Sequence, residues 1–238
     1  MPGEPPPTTI HLSPAAELAE RVLLPGDPHR ALAMAQALLD SPRMFNARRG
    51  LWGYTGAAPD GEPLTIQSTG MGGPSAAIVV EELVQLGART LVRTGTCGAL
   101  ADGLDLGELV TAGRALAGDG SSRALGAGDA VEADAGLTRA LLAAGGGREV
   151  TAVSTDLFYD PSPERAEAWR QAGAAVVEME AAAVLTVAGR LGARAACVLL
   201  VTDVLAGGGR ERLDHEAIEA RGVRLGEVAL SALAKRAM

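Results

Sequence analysis

Cysteine is nearly absent from the chain: Cys97 and Cys197 are the only two among 238 residues. Both lie in apolar segments with neither CxxC spacing nor a Cys/His cluster around them, which argues against a disulfide framework, a metal site and a redox motif. They are expected to be buried, reduced thiols. Positive charge is also in short supply. The net charge of −8 speaks against nucleic acid or an anionic membrane surface as a partner, because both are bound through excess Lys and Arg. An anionic ligand would have to be held by a few placed arginines. No run of 18 apolar residues occurs, and the proline-rich opening Met1-Pro2-Gly3-Glu4-Pro5-Pro6-Pro7 has no basic or apolar leader region, so neither a membrane span nor a signal peptide is expected. The chain reads as soluble and cytoplasmic, with a flexible segment over 1–9 and a single domain over 10–238.

Hydrophobic residues make up 47% of the sequence, enough to build a sizeable core without metal or disulfide staples. Short Val/Leu-rich runs alternate with Ala/Leu/Glu-rich stretches of helical length, the pattern of a buried sheet covered by helices in an α/β fold. Strands are expected at 21–24, 64–68, 91–94, 109–112, 149–153, 174–177 and 196–201. Helices are expected at 29–39, 74–86, 135–144, 163–172, 180–191 and from about 213 to 235. Ala58-Pro59-Asp60-Gly61 has turn chemistry, so 51–68 reads as a hairpin and the sheet as mixed. The glycines at 206–209 mark a candidate mobile loop.

Several of these strands run into small polar clusters: Pro25-Gly26-Asp27-Pro28, Arg93-Thr94-Gly95-Thr96, Glu178-Met179-Glu180 and Thr202-Asp203. In open α/β sheets ligands bind outside the carboxyl ends of strands, so these clusters are expected on one rim. The pair Glu178 and Glu180 sits within the apolar run AVVEMEAAAV. An unpartnered ionised carboxylate is costly to bury, so both are expected at that rim, where the strand leaves the core at Val177.

In Pro25-Gly26-Asp27-Pro28-His29-Arg30, Asp27 suits an N-cap, Pro28 a first helical position, and Gly26 close approach by a ligand. Free backbone N–H groups with Arg30 behind them can receive an oxyanion. The plain alternative is a capped turn with a surface arginine. Gly70-Met71-Gly72-Gly73-Pro74 is a tight turn before a helix and lacks the ending of a P-loop. Arg93 follows buried Leu91 and Val92 and must be paired, either in a structural ion pair or with a phosphate that Thr96 and the glycine N–H groups also hold.

Together these pieces resemble the nucleoside phosphorylase family of hexameric bacterial purine nucleoside phosphorylases and uridine phosphorylases. The likeness runs from His11 to Asp203 and is carried by the first turn, Arg49-Gly50-Leu51-Trp52-Gly53-Tyr54-Thr55-Gly56, Gly70 to Ile78, Arg93-Thr94-Gly95-Thr96 and Glu178-Met179-Glu180. It implies a three-layer α/β/α domain with a mixed, partly barrel-like central sheet. It implies phosphate held by Gly26, Arg30, Arg93 and Thr96, with Arg49 lent by a neighbouring subunit. Ribose would be held by Glu180, Met179 and Met71, with His11 reaching the 5′ hydroxyl of the adjacent subunit. Phe158, Glu178 and Thr202 would lie at the base, and Asp203 would protonate the leaving purine. The resemblance further implies a homohexamer built as three dimers, phosphate as co-substrate, and neither metal nor organic cofactor.

Uridine phosphorylase is the nearest alternative, and Arg165 keeps it open; the absent Gln beside Arg165 and the presence of Asp203 favour purine. A hydrolytic nucleosidase would not need Arg30, Arg49 and Arg93 together, and a non-catalytic nucleotide binder would have little use for Asp203 opposite Glu180. Arg221 stands as a guess for an arginine assisting Asp203, with Arg210 and Arg212 in the same region.

Overall fold

A computed structural model describes residues 9–204 and 211–234 of the chain. The segment 1–8, the expected loop at 206–209, Arg210 and the end of the last helix at 235 lie outside the described residues. Short, apolar β1 (Arg21–Leu24) lies between β4 (Pro63–Gln67) and β5 (Thr90–Ala99), parallel to both. β4 turns back through the 58–62 turn, where Gly61 donates to the Ala58 carbonyl at 2.8 Å, onto antiparallel β3 (Gly53–Ala57), as the turn chemistry predicts. Beyond β3 lies the edge strand β2 (Asp40–Asn46).

On its other side β5 enters a closed ring of five strands. β10 (Arg194–Val204) pairs with β5 in parallel and with β6 (Leu109–Ala117) antiparallel, and the ring returns to β5 through β8 (Arg148–Ser154) and β9 (Val176–Glu178). Two short strands, β7 (Ala130–Glu132) and β11 (Glu211–Arg212), attach to β6 and β10. The sheet is therefore mixed and partly a barrel.

Period-two alternation divides each central strand between two apolar layers. Val22, Leu24, Leu91, Cys197 and Leu199 face one way, toward α2 (Gly73–Gln85) and α6 (Ala181–Arg190). Leu23, Val92, Ala196, Val198 and Leu200 face the other, toward α1 (Pro28–Leu38), α4 (Ala135–Ala143) and α7 (His215–Leu233). All eight residues from Ala181 to Ala188 are buried, because alanines let α6 approach the strands closely while Val184 and Leu185 each contribute about 1.5–3 kcal/mol of burial. α3 (Gly120–Ala124) and α5 (Pro163–Gln171) are peripheral.

Four elements, β2, β7, β11 and α3, have no counterpart in the sequence expectations. Three are five residues or shorter, too short for a period to register. β2 carries Pro42 and a positive φ of 46° at Ser41, tolerated because it is an edge strand. A larger difference concerns β5, expected to end at Thr94 but running on to Ala99. Arg93 therefore lies inside a strand, between Leu24 of β1 and Cys197 of β10.

Candidate active site

Where β1 stops at Leu24 and β5 continues, the strand ends open into a cavity of about 840 Å³ bordered by Gly26, Arg30, Met71, Arg93, Thr96, Phe158, Glu178, Met179, Glu180, Thr202, Asp203 and Arg212. The first turn folds as its residues demand. Asp27 caps α1 by accepting from the His29 N–H at 2.9 Å, Pro28 opens the helix, and Gly26 accepts the Gly70 N–H through its carbonyl at 3.0 Å. A Cβ at Gly26 would come within 3.3 Å of the Gly70 carbonyl oxygen, so the two glycine turns approach as closely as backbone allows.

Arg30 projects from the first turn of α1 with its stem packed against Gly222 of α7. Its guanidinium forms no hydrogen bond or ion pair among the described residues. Burial pulls its pKa below the ordinary arginine value and nearby Arg93 adds to that, against Asp27 and Glu180. Two guanidiniums thus face one space, and that of Arg30 has no ion-pair partner among the described residues. Alternation puts Arg93 on the α6 side of β5, where its Nε donates to Glu178 Oε2 at 2.9 Å and its Nη2 donates to Glu180 Oε2. Its Nη1 is buried and has no hydrogen-bond partner. Burial alone would lower the Arg93 pKa, but Glu180 and Glu178 outweigh it and hold the group above the ordinary value.

The two carboxylates stand at the strand end that borders the cavity, as expected, and are buried there. Glu178 and Glu180 are 4% and 5% exposed, and one arginine pairs with both. Glu178 borders the cavity with its carboxylate already engaged: Oε1 accepts from the Ser154 hydroxyl at 2.5 Å, and the backbone N–H groups of Glu180 and Ala181 donate to Oε2 at 2.9 Å each. These are the orphan donors of the α6 N-terminus, where the helix dipole favours negative charge. A carboxylate so engaged caps a helix and anchors an arginine. Glu180 accepts the Gly72 N–H at 2.5 Å through Oε1, tying the Met71 turn to the arginine pair. Burial raises the Glu180 pKa, opposed by Arg93 and reinforced by Glu178.

At the far end of the cavity a register shift in the β10–β5 pairing, between Val201 and Asp203, turns Thr202 and Asp203 toward the opening. The Thr202 hydroxyl lies 3.3 Å from the Cys97 carbonyl and donates to Asp203 Oδ2 at 2.9 Å. Across the ladder Asp203 faces Arg212 of β11, whose Nη1 lies 3.0 Å from Oδ1. Among the described residues, Arg212 is therefore an arginine that meets Asp203. Arg221, the guess from sequence, donates to the Gly107 carbonyl at 3.1 Å instead. Only β11, too short to be seen in the sequence, distinguishes the two. Phe158 borders the cavity, stacked edge-on against Tyr159 at 5.0 Å, and both rings are largely exposed. Arg165 pairs with Asp160 at 3.0 Å and does not border the cavity.

His11 and Arg49 lie outside this cavity. His11 Nδ1 is 2.7 Å from Glu82 Oε1, and Glu82 also accepts the N–H groups of Ile10, His11 and Leu12. Burial works to raise the Glu82 pKa, yet these donors bring it below the usual value. Arg49 is exposed in the turn Arg48–Gly50, at a φ of 58°. Neighbouring Arg48 donates to the Ile10 carbonyl at 3.1 Å, which places the two expected residues in one region. Among the described residues no group of three His, Cys, Asp or Glu could hold a metal ion, and no helix is long and apolar enough to cross a membrane. Both thiols are buried and free, and burial pushes the pKa of each upward.

The family model described as "Phosphorylase superfamily" matches residues 20–236. The chain belongs to the phosphorylase superfamily. It is 37% identical over 82% of its length, and 86% of the relative's, to a protein of Geobacillus kaustophilus named purine nucleoside phosphorylase DeoD-type. A Jannaschia protein of the same name is 39% identical over 83% of this chain and 88% of its own length. A protein named guanosine phosphorylase, from Halorubrum lacusprofundi, is 36% identical over 84% and 85%. The superfamily match encloses every residue that borders the cavity; His11 alone among the expected site residues falls before it. Sequence reading missed Ser154 as part of the site, and missed the contacts that Gly72 and Gly95 make there. Ser154 and Gly72 gave no signal of their own, because their partners lie far along the chain, and Gly95 showed only as one glycine of the Arg93 cluster.

Proposed function

We propose that this superfamily member phosphorolyses purine ribonucleosides and deoxyribonucleosides to free base and pentose 1-phosphate, in purine salvage and nucleoside catabolism. The observation that carries the reading is the pairing of unpartnered cation at one end of the cavity, Arg30 and Arg93 Nη1, with a carboxylic acid, Asp203, at the other. Its relatives' names support the same reaction.

Phosphate would sit against Gly26, Arg30, Arg93 and Thr96, where charge-assisted bonds turn a poor nucleophile into a positioned one. A phosphate oxygen attacks C1′ as the bond from C1′ to the base nitrogen breaks, and the electron pair of that bond passes into the purine ring. Glu180, with Met179 and Met71 beside the sugar, offers its remaining lone pairs to the ribose hydroxyls and negative charge to the oxocarbenium-like transition state. Asp203 delivers a proton to N7 so that the base leaves neutral, and Arg212 steadies the carboxylate left behind. Phe158 and Thr202 lie at the base, the ring stacking and the hydroxyl orienting Asp203. The balance of atoms needs only nucleoside and inorganic phosphate, so no metal or organic cofactor is invoked.

His11 and Arg49, on a separate face, are proposed to complete a neighbouring subunit's ribose and phosphate sites. The working assembly is then a homohexamer of three dimers, each chain a single phosphorylase domain over 10–238, in the cytoplasm. Arg165 is engaged by Asp160, so the residue that kept uridine open gives it no support. The test is base release from inosine, guanosine, adenosine and uridine with and without phosphate. Phosphate-dependent release from the purine nucleosides is expected; release from uridine alone would overturn the purine assignment, and equal rates without phosphate would overturn phosphorolysis.

A further inference from the structure

We propose that Ser154 and Glu178 are positioning residues for phosphate, acting through Arg93 by fixing the plane of its guanidinium so that Nη1 remains to meet the anion. The inference rests on the reading of Arg93 as a phosphate ligand and adds the machinery that aims it.

A guanidinium is a planar fork, so two bonds in its plane settle its orientation. Arg93 makes both, Nε to Glu178 and Nη2 to Glu180. Gly95 leaves room for that pose, since a Cβ there would come within 2.7 Å of Arg93 Cζ and Nη2. The remaining nitrogen, Nη1, is buried without a hydrogen-bond partner, in a side chain that borders the cavity beside Arg30.

Glu178 can aim Arg93 only if it is itself held, and its carboxylate is shielded from solvent and bound on both oxygens. Ser154, the last residue of β8, supplies the side-chain part of that grip. Its hydroxyl gives its proton to Glu178 Oε1 at 2.5 Å and accepts the Ala182 N–H at 2.8 Å, so it cannot rotate away without losing both bonds. β8 pairs Ser154 directly with Glu178 across the ladder to β9, so the barrel wall sets the position of the anion ligand. Ser154 does not border the cavity, and both carboxylate oxygens of Glu178 are taken up by protein donors.

The test is steady-state kinetics of Ser154→Ala, Ser154→Thr and Glu178→Gln, with phosphate varied at saturating nucleoside and the reverse. Losing a hydrogen bond to a charged group corresponds to about tenfold in affinity. Ser154→Ala is expected to raise the phosphate KM by about that factor while the nucleoside KM stays within about twofold, and Glu178→Gln is expected to exceed it. Ser154→Thr, which retains the hydroxyl, is expected to restore the phosphate KM. Equal rises in both KM values for Ser154→Ala, or no rise in either, would overturn the proposal and leave the pair a purely structural one. Should Glu178→Gln fail to fold, the Ser154 variants decide. Arg93→Lys separates the two levels: an unchanged phosphate KM there removes the underlying reading, whereas a raised one with Ser154→Ala unaffected removes only the positioning role.

Discussion

At the anion end of the cavity Arg93, Glu178 and Glu180 are each at most 5% exposed and hold one another, whereas at the base end Phe158 and Tyr159 are 49% and 87% exposed and Arg212 reaches Asp203 from solvent. The anion end is built on β5, β8 and β9 and on the N-terminus of α6, all packed into the barrel. The base end joins the buried end of β10, with Thr202 and Asp203, to a loop and a two-residue strand that are open to water. Buried charge is expensive unless every member is paired, so the first end tolerates almost no change. The second is screened by water and tolerates more. A substrate phosphate and sugar are the same in every nucleoside, while bases differ, and rigidity and latitude fall accordingly.

The largest expected effect tests the rigid end. Arg93→Gln strands two buried carboxylates and should cost about 3–5 kcal/mol of stability, read as a lowered denaturant midpoint, together with loss of phosphate-dependent turnover. A stable variant would show that the end is less tightly coupled than its hydrogen bonds imply. Asp203→Asn should cut kcat about 10²-fold or more with a smaller change in the denaturation midpoint than Arg93→Gln, since the replacement keeps the shape and Arg212, its ion-pair partner, is half-exposed. Full purine activity in that variant would remove the general acid.

A pH profile sharpens the contrast next. Burial raises the Glu180 pKa, so the ionised form that grips ribose is lost at a higher pH than for an ordinary glutamate. The acid limb of kcat/KM for nucleoside should lie above the usual carboxylate range of about 4.3. The sign for stability is opposite: a raised native pKa favours folding at low pH, a contribution lost as pH rises through that value. A limb at or below the ordinary value would contradict the buried setting of Glu180. Phe158→Ala should raise the nucleoside KM by about fivefold, near 1 kcal/mol and the lower end for ring–base stacking, because the ring is half in water. Tyr159→Ala should stay within about 0.5 kcal/mol, and a larger loss would show that the base end is more enclosed than its exposure indicates.

Much of the fold was legible because helices and central strands are local patterns. Strands at 21–24 and 196–201 and helices at 29–39 and 163–172 follow from period and caps, and all occur within a few residues of the expected ends. Gly26, Arg30, Arg93, Thr96, Glu180 and Asp203 were also named from sequence and border one cavity. Glu178 and Glu180 could not be told apart on paper, because both lie in one short run with the same chemistry. Residues two apart in a strand share a face, and although the strand ends at Glu178 and the chain turns into α6, both carboxylates still meet the same guanidinium. Arg212 could not be preferred to Arg221 on paper, because its position depends on a two-residue ladder.

The sequence by itself determined which residues carry charge and on which face each strand presents them, because alternation along a strand needs no knowledge of the partner. Only the tertiary structure decided who meets whom. Ser154 reaches Glu178, and Arg93 reaches both acids, through pairings between residues 24 to 87 positions apart. Such registers come from closing β5, β6, β8, β9 and β10 into a ring, and ring closure is a property of the whole sheet rather than of any segment within it.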